Sequence, residues 1–162
     1  MDSSASASQT PCSAGTYNPQ SGSNSSTACL DADPGYYVDT NASASQAPCS
    51  AGTWQNQSGQ SSCLEADPGH YVPNNASTSQ TPADPGHYVD SNASASQAPC
   101  SAGTWQNQTG QTACMDADPG HYVDSNASTS QIACSPGSYQ PLPGQVSCLE
   151  SEPGYYLSLI HI

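Results

Sequence analysis

The chain has 162 residues and a formal net charge of −13, from 13 acidic side chains set against neither lysine nor arginine. That balance argues against nucleic acid as a partner, because phosphate binding relies on basic side chains to displace counterions. Leu, Ile, Val and Phe together number only 14, too few for a conventional core, so stability must come from elsewhere.

Eight cysteines supply the alternative. Local cross-links can hold a chain that buries little apolar surface. No CxxC or Cys/His cluster marks these thiols as metal ligands, so they indicate an oxidising, extracellular setting.

The opening "MDSSASASQTPCSAGTY" aligns with "VDSNASASQAPCSAGTW" at residues 89–105, so the chain is read as starting inside a repeat, with any secretory signal upstream. A glycine followed two places later by an aromatic then occurs at Gly35, Gly52, Gly69, Gly86, Gly103, Gly120, Gly137 and Gly154, every 17 residues. The unit of Gly15 precedes this series by 20 residues, the extra three matching "SNS" in its loop. Fixed-period self-similarity indicates stacked units rather than one globule.

Each unit opens on a turn whose chemistry can be read directly. In "DPGH" proline presets φ at the second position and glycine accepts positive φ at the third, the pattern of a type II turn; "SAGT" places Ala and Gly in the same positions. A short extended run such as "HYV" or "TWQ" follows, in which alternation predicts the aromatic inward and its neighbour outward. His70, His87 and His121, each just before an aromatic, are therefore expected to point outward. No segment keeps a 3.6-residue apolar period, so helix is not expected.

Two forms of the unit alternate. "CSAGTWQNQSGQSSC" at 49–63 has cysteines three residues before its glycine and eleven after; "ADPGHYVPNNASTSQ" at 66–80 has Ala66 and Gln80 at those offsets. A unit carries both cysteines or neither, the pattern left by a disulfide inside one unit, where losing one partner alone would strand a thiol. "QTPADPG" at 80–86 joins two cysteine-free units as though one cysteine-bearing unit were missing near 82–83, and the count stays even. The pairing expected is Cys12 with Cys29, Cys49 with Cys63, Cys100 with Cys114 and Cys134 with Cys148, one of about 105 connectivities. Closing a loop of about 15 residues is worth about 3 kcal/mol in the chain-entropy model, so these links should dominate stability.

The order C-x2-G-x-[YW], a polar loop with Gly, then C-x2 leading into the next G-x-Y resembles the cysteine-rich repeats called tyrosine-protein kinase ephrin type A/B receptor-like, in the neighbourhood of growth-factor-receptor and EGF-like domains. The resemblance spans residues 12–156. It implies elongated extracellular stalks and interaction surfaces, and no enzyme; nothing in the chain resembles a kinase motif. The chain departs from the family in alternate units, where a second cysteine pair would stand and Ala66 and Gln80 stand instead.

The expected fold is thus a small disulfide-rich all-β or irregular repeat, an elongated array of turn-strand units of 17 residues, paired into 34, over residues 1–156. Acid pairs recur ahead of the turns: Asp31 and Asp33, Glu65 and Asp67, Asp116 and Asp118, Glu150 and Glu152. They are read either as solvated charge or as ligands for calcium between units, since hard cations need several converging oxygens. Sequons place candidate glycans at Asn24, Asn41, Asn56, Asn75, Asn92, Asn107 and Asn126, all in predicted loops. Trp54 and Trp105 are open to two readings, packing or stacking on sugars. "LSLIHI" at 157–162 reads as a translated sequencing adapter rather than native protein; the alternative is the start of a membrane anchor, of which six residues are too few to span a bilayer. Because nearly every candidate side chain is copied along the repeat, the expected function is a non-enzymatic extracellular stalk, spacer or adhesin. The alternative is a specific glycan- or protein-binding module, with or without calcium. Neither reading requires a cofactor or membrane insertion.

Overall fold

The structure, a computed structural model, describes residues 10–20 and 28–152. The opening residues 1–9, Asn24, Gly154, Tyr156 and the 157–162 tail lie outside the described residues. Within them, sixteen two-residue strands, β1 to β16, pair into eight two-stranded ladders, and no α-helix forms. The order begins with β1 (Thr16–Tyr17) against β2 (Leu30–Asp31) and β3 (Tyr36–Tyr37) against β4 (Ala47–Pro48), and ends with β15 (Ser138–Tyr139) against β16 (Leu149–Glu150). The protein is an all-β array of small hairpin repeats.

The turn residues produce the turn expected of them. Gly35 has φ +86° and the Tyr36 N–H donates to the Asp33 carbonyl at 2.9 Å, closing a type II turn; in the other form Gly52 has φ +87° and Thr53 N–H donates to Ser50 at 2.9 Å. A backbone bond then closes each repeat: Cys49 N–H reaches the Gly35 carbonyl at 2.8 Å, and Ala66 N–H the Gly52 carbonyl at 2.9 Å. Another set joins neighbouring repeats, with Gly35 N–H donating to Gln55 at 2.7 Å and Gly103 N–H to Val123 at 2.8 Å. Two-residue hairpins would not persist alone, and this backbone network is what supports them.

The described chain forms two compact units. The first takes the residues up to Asp67 with Val72–Thr81 and Asn92–Ala95; the second takes Pro68–Tyr71, Pro82–Ser91 and the residues from Ser96 onward. The first buries Cys12, Ala32, Cys49 and Ala66 together with Val38, Gln55 and Val72. The second buries Ala83, Cys100 and Ala117 with Val89, Gln106, Val123 and Gln140.

These lists correct the expectation that the aromatics face inward. Tyr37, Trp54, Tyr88 and Trp105 are half-buried, and the residue after each aromatic, Val or Gln, is the buried one. The reason lies in how closely the backbones approach. A Cβ on Gly52 would overlap the carbonyl of Ala93, and one on Gly69 the carbonyl of Gly110, so the backbones of different repeats touch at the turns and the narrow enclosed space is filled by Cys, Ala, Val and Gln side chains. Rings are left at the margin. The histidines are corrected likewise: His70, His87 and His121 are half-buried rather than outward.

Candidate functional site

Four disulfides, Cys12–Cys29, Cys49–Cys63, Cys100–Cys114 and Cys134–Cys148, each lie within one repeat, and the Cα atoms of each pair are 5.7 or 5.8 Å apart. No cysteine is free. Cys12, Cys49 and Cys100 sit in the buried position that Ala32, Ala66, Ala83 and Ala117 fill in the other repeats.

The cysteine-free repeats are closed by side chains. In the first of them, Gln46 Oε1 accepts from the Asp33 N–H at 2.7 Å while Gln46 Nε2 donates to Asp33 Oδ2 at 2.7 Å. The same two-pronged clamp joins Gln80 to Asp67 with both bonds at 2.8 Å, Gln97 to Asp84 at 2.7 Å and Gln131 to Asp118 at 2.7 Å. A planar amide suits this role, because it offers an acceptor and a donor side by side to a backbone N–H and a carboxylate. The junction at 82–83 shows the same geometry as the rest, with Ala83 N–H bonded to the Gly69 carbonyl at 2.8 Å.

A second device is confined to the loops. Ala42, Ala76, Ala93 and Ala127 adopt φ between +53° and +60°, in the left-handed region, where the cysteine-bearing repeats place Gly59, Gly110 and Gly144. Each of those alanines is the middle residue of an Asn-Ala-Ser sequon. Three of the preceding asparagines pin an earlier turn: Asn41 Oδ1 accepts from Ala14 N–H, Asn75 from Ala51 and Asn126 from Ala102, all at 2.9 Å. Asn75 and Asn126 reach back 24 residues; the residue 24 before Asn92 is Pro68, which has no N–H to give. Asn56 and Asn107 are exposed in the loops of cysteine-bearing repeats.

The described acids are all exposed. Asp33, Asp67 and Asp118 are occupied by the glutamine clamps, whereas Asp31, Glu65, Asp116 and Glu150 lie on strands and Glu152 follows the last of them. Among the described residues no three His, Cys, Asp or Glu side chains converge as a metal site would require. His87 Nδ1 lies 3.3 Å from the Pro85 carbonyl and His121 Nδ1 3.5 Å from that of Pro119, while His70 Nδ1 is buried without a partner. The indole Nε1 atoms of Trp54 and Trp105 are also buried without a hydrogen bond. Their N–H groups are therefore not offered to a sugar.

No protein-family model matches the chain, and no curated protein is significantly similar to it. Its chemistry must be read from its own geometry. Among the described residues no helix is long and apolar enough to cross a membrane. A shallow opening of about 340 Å³ beside Val123 and Ile132 is walled by Ser, Thr and Asn side chains, with Asp124 its one charged group.

The ladders carry what periodicity did not show. In every cysteine-bearing repeat the aromatic pairs across its hairpin with a large aliphatic residue: Tyr17 with Leu30, Trp54 with Leu64, Trp105 with Met115 and Tyr139 with Leu149. Tyr37 and Tyr88, in cysteine-free repeats, face Ala47 and Ala98, while Tyr122 faces Ile132. The sequence signal was present, since Cys29, Cys63, Cys114 and Cys148 are each followed by Leu or Met and then Asp or Glu.

Proposed function

We propose that the chain is a non-enzymatic extracellular repeat protein, secreted or held at a cell surface, whose work is to act as a stalk or spacer. The observation that carries this reading is that its reactive side chains are engaged in holding repeats together. Cysteines cross-link single repeats, clamping aspartates and glutamines close the others, and Asn41, Asn75 and Asn126 tie a loop to an earlier turn. A disulfide in alternate repeats of a chain with so few aliphatic residues suits an oxidising compartment. The resemblance of the Cys/Gly/Tyr pattern to ephrin-receptor-like cysteine-rich repeats, a reading of the sequence alone, implies the same assignment.

Small-angle scattering on the oxidised protein tests it. A spacer should give a radius of gyration well above the roughly 15 Å of a compact globule of this length. A compact value would remove the spacer reading, and reproducible calcium-dependent signals on a glycan array would replace it with a lectin-like one.

A further inference from the structure

The aromatic–aliphatic rungs are the feature that repeat closure does not explain. Leu30, Leu64, Met115 and Leu149 are 41–49% exposed, each set directly across a two-residue ladder from an aromatic ring. Solvent-facing Leu and Met on a chain this poor in aliphatics is a costly use of scarce apolar surface. Each is preceded by a disulfide cysteine and followed by an exposed acid, Asp31, Glu65, Asp116 or Glu150. The three features coincide in all four cysteine-bearing repeats; the clamp-closed repeats of Tyr37 and Tyr88 present alanine and no acid there, and that of Tyr122 presents exposed Ile132 with no acid after it.

From this we infer that each cysteine-bearing repeat presents a docking rung for a cationic, amphipathic protein segment, one that lays apolar side chains on the Tyr/Trp–Leu/Met pair and brings Lys or Arg to the neighbouring carboxylate. Charge selects this occupant. The chain holds no lysine or arginine, so the acids beside the rungs have no basic side chain of their own to meet, and a partner must bring the countercharge. A second copy would bring another −13 and is repelled. Cations also favour the faces of the half-exposed rings. The adjacent disulfide holds the rung rigid before binding, which lowers the ordering cost of association. Within each compact unit two rungs stand 34 residues apart in the sequence, Leu30 and Leu64 in the first and Met115 and Leu149 in the second, which gives avidity to a partner that repeats the same pattern. The surface works whether or not the array is also a spacer.

The test titrates the intact oxidised protein with a short peptide alternating leucine and lysine, read by the fluorescence of Trp54 and Trp105, which stand in two of the rungs. Leucine–glutamate and serine–lysine peptides are the comparisons. Saturable binding of the leucine–lysine peptide is expected, none of the leucine–glutamate peptide, and affinity for serine–lysine lower by about tenfold or more. Leu64→Ser with Met115→Ser should weaken the first peptide by about tenfold with all four disulfides intact by mass. Glu65→Gln with Asp116→Asn, which leaves the rungs untouched, should weaken it and flatten its salt dependence. Equal affinity for the serine–lysine peptide would reduce the attraction to bulk charge and overturn the rung. Unchanged binding in the Leu64/Met115 variant, or a self-association that displaces the peptide, would overturn it as well.

Discussion

The repeat of Cys49 and Cys63 and the repeat that follows it, with Ala66 and Gln80, share one backbone path and differ in how the loop is shut. Both turn on a glycine with positive φ, Gly52 at +87° and Gly69 at +84°. In both, the residue three places before that glycine is buried and donates to the carbonyl of the previous glycine. One is then closed by a covalent bond, the other by Gln80 reaching past Ala66 to the N–H and carboxylate of Asp67. Closure is thus separable from fold. The turns and the bonds between repeats define the path, and either staple can secure it.

The substitutions that distinguish the two forms act as a set. Where cysteines close the loop, Gln55 and Gln106 are buried after the aromatic and donate to the carbonyls of Ser62 and Ala113, both at 3.1 Å. Where glutamine closes it, Val72, Val89 or Val123 fills that position, and alanine replaces glycine in the left-handed loop residue. A cysteine-free repeat is therefore a differently secured unit, with no slack left by the missing disulfide.

The largest expected difference between the forms is in stability. Cys49→Ala with Cys63→Ala should cost about 3 kcal/mol by the loop-closure argument, measured by chemical denaturation followed at Trp54. Gln80→Ala should cost only about 1 kcal/mol, since its clamp is exposed and water can take over both bonds. A smaller loss for the cysteine pair than for Gln80 would reverse this ranking. Gln80→Glu sharpens the point. It removes the amide donor and sets a second carboxylate against Asp67, so it should destabilise more than Gln80→Ala at neutral pH, and less so as salt is raised.

The smallest effect belongs to the loop. Gly59→Ala places a Cβ in ordinary contact with Asp31 at 3.5 Å and imposes left-handed strain, whereas Ala76→Gly relieves such strain at the expense of a freer unfolded chain. The two should shift stability in opposite directions by about 0.5 kcal/mol each, visible as opposite displacements of the denaturation midpoint. Shifts of the same sign would mean that the loops of the two forms are not equivalent.

The repeat length, the turn type and the disulfide-rich all-β character were legible because glycine and proline constrain φ wherever they stand, independent of neighbours, whereas the pairing of the strands into hairpins was not. The concerted presence of cysteines was legible for a similar reason, since a disulfide is a pairwise constraint that leaves a pairwise trace. Gln46, Gln80, Gln97 and Gln131 left a trace of the same kind, each thirteen residues after an aspartate. It passed unread because glutamine and aspartate also stand on surfaces for no reason but solubility. The placement of the rings was misread because alternation assumes a strand with two distinct faces. Ladders of two residues, packed so closely that Gly52 has no room for a methyl group, leave the interior to Val72 and its equivalents. The pinning role of Asn75 depends on a turn 24 residues earlier and could not be seen without the stacking.

The claim that two closures serve one fold is tested most directly by moving one onto the other. Ala66→Cys with Gln80→Cys replaces the clamp by a pair of thiols at the offsets used by Cys49 and Cys63. Chymotrypsin cuts after Tyr71, between the two positions, so non-reducing digestion reads the outcome as a mass. The expected result is that the two introduced thiols join each other, the four native disulfides remain, and the denaturation midpoint rises. Introduced thiols that stay free in an oxidising buffer, or that displace a native pair, would show that the cysteine-free repeat follows a different path and would contradict the account.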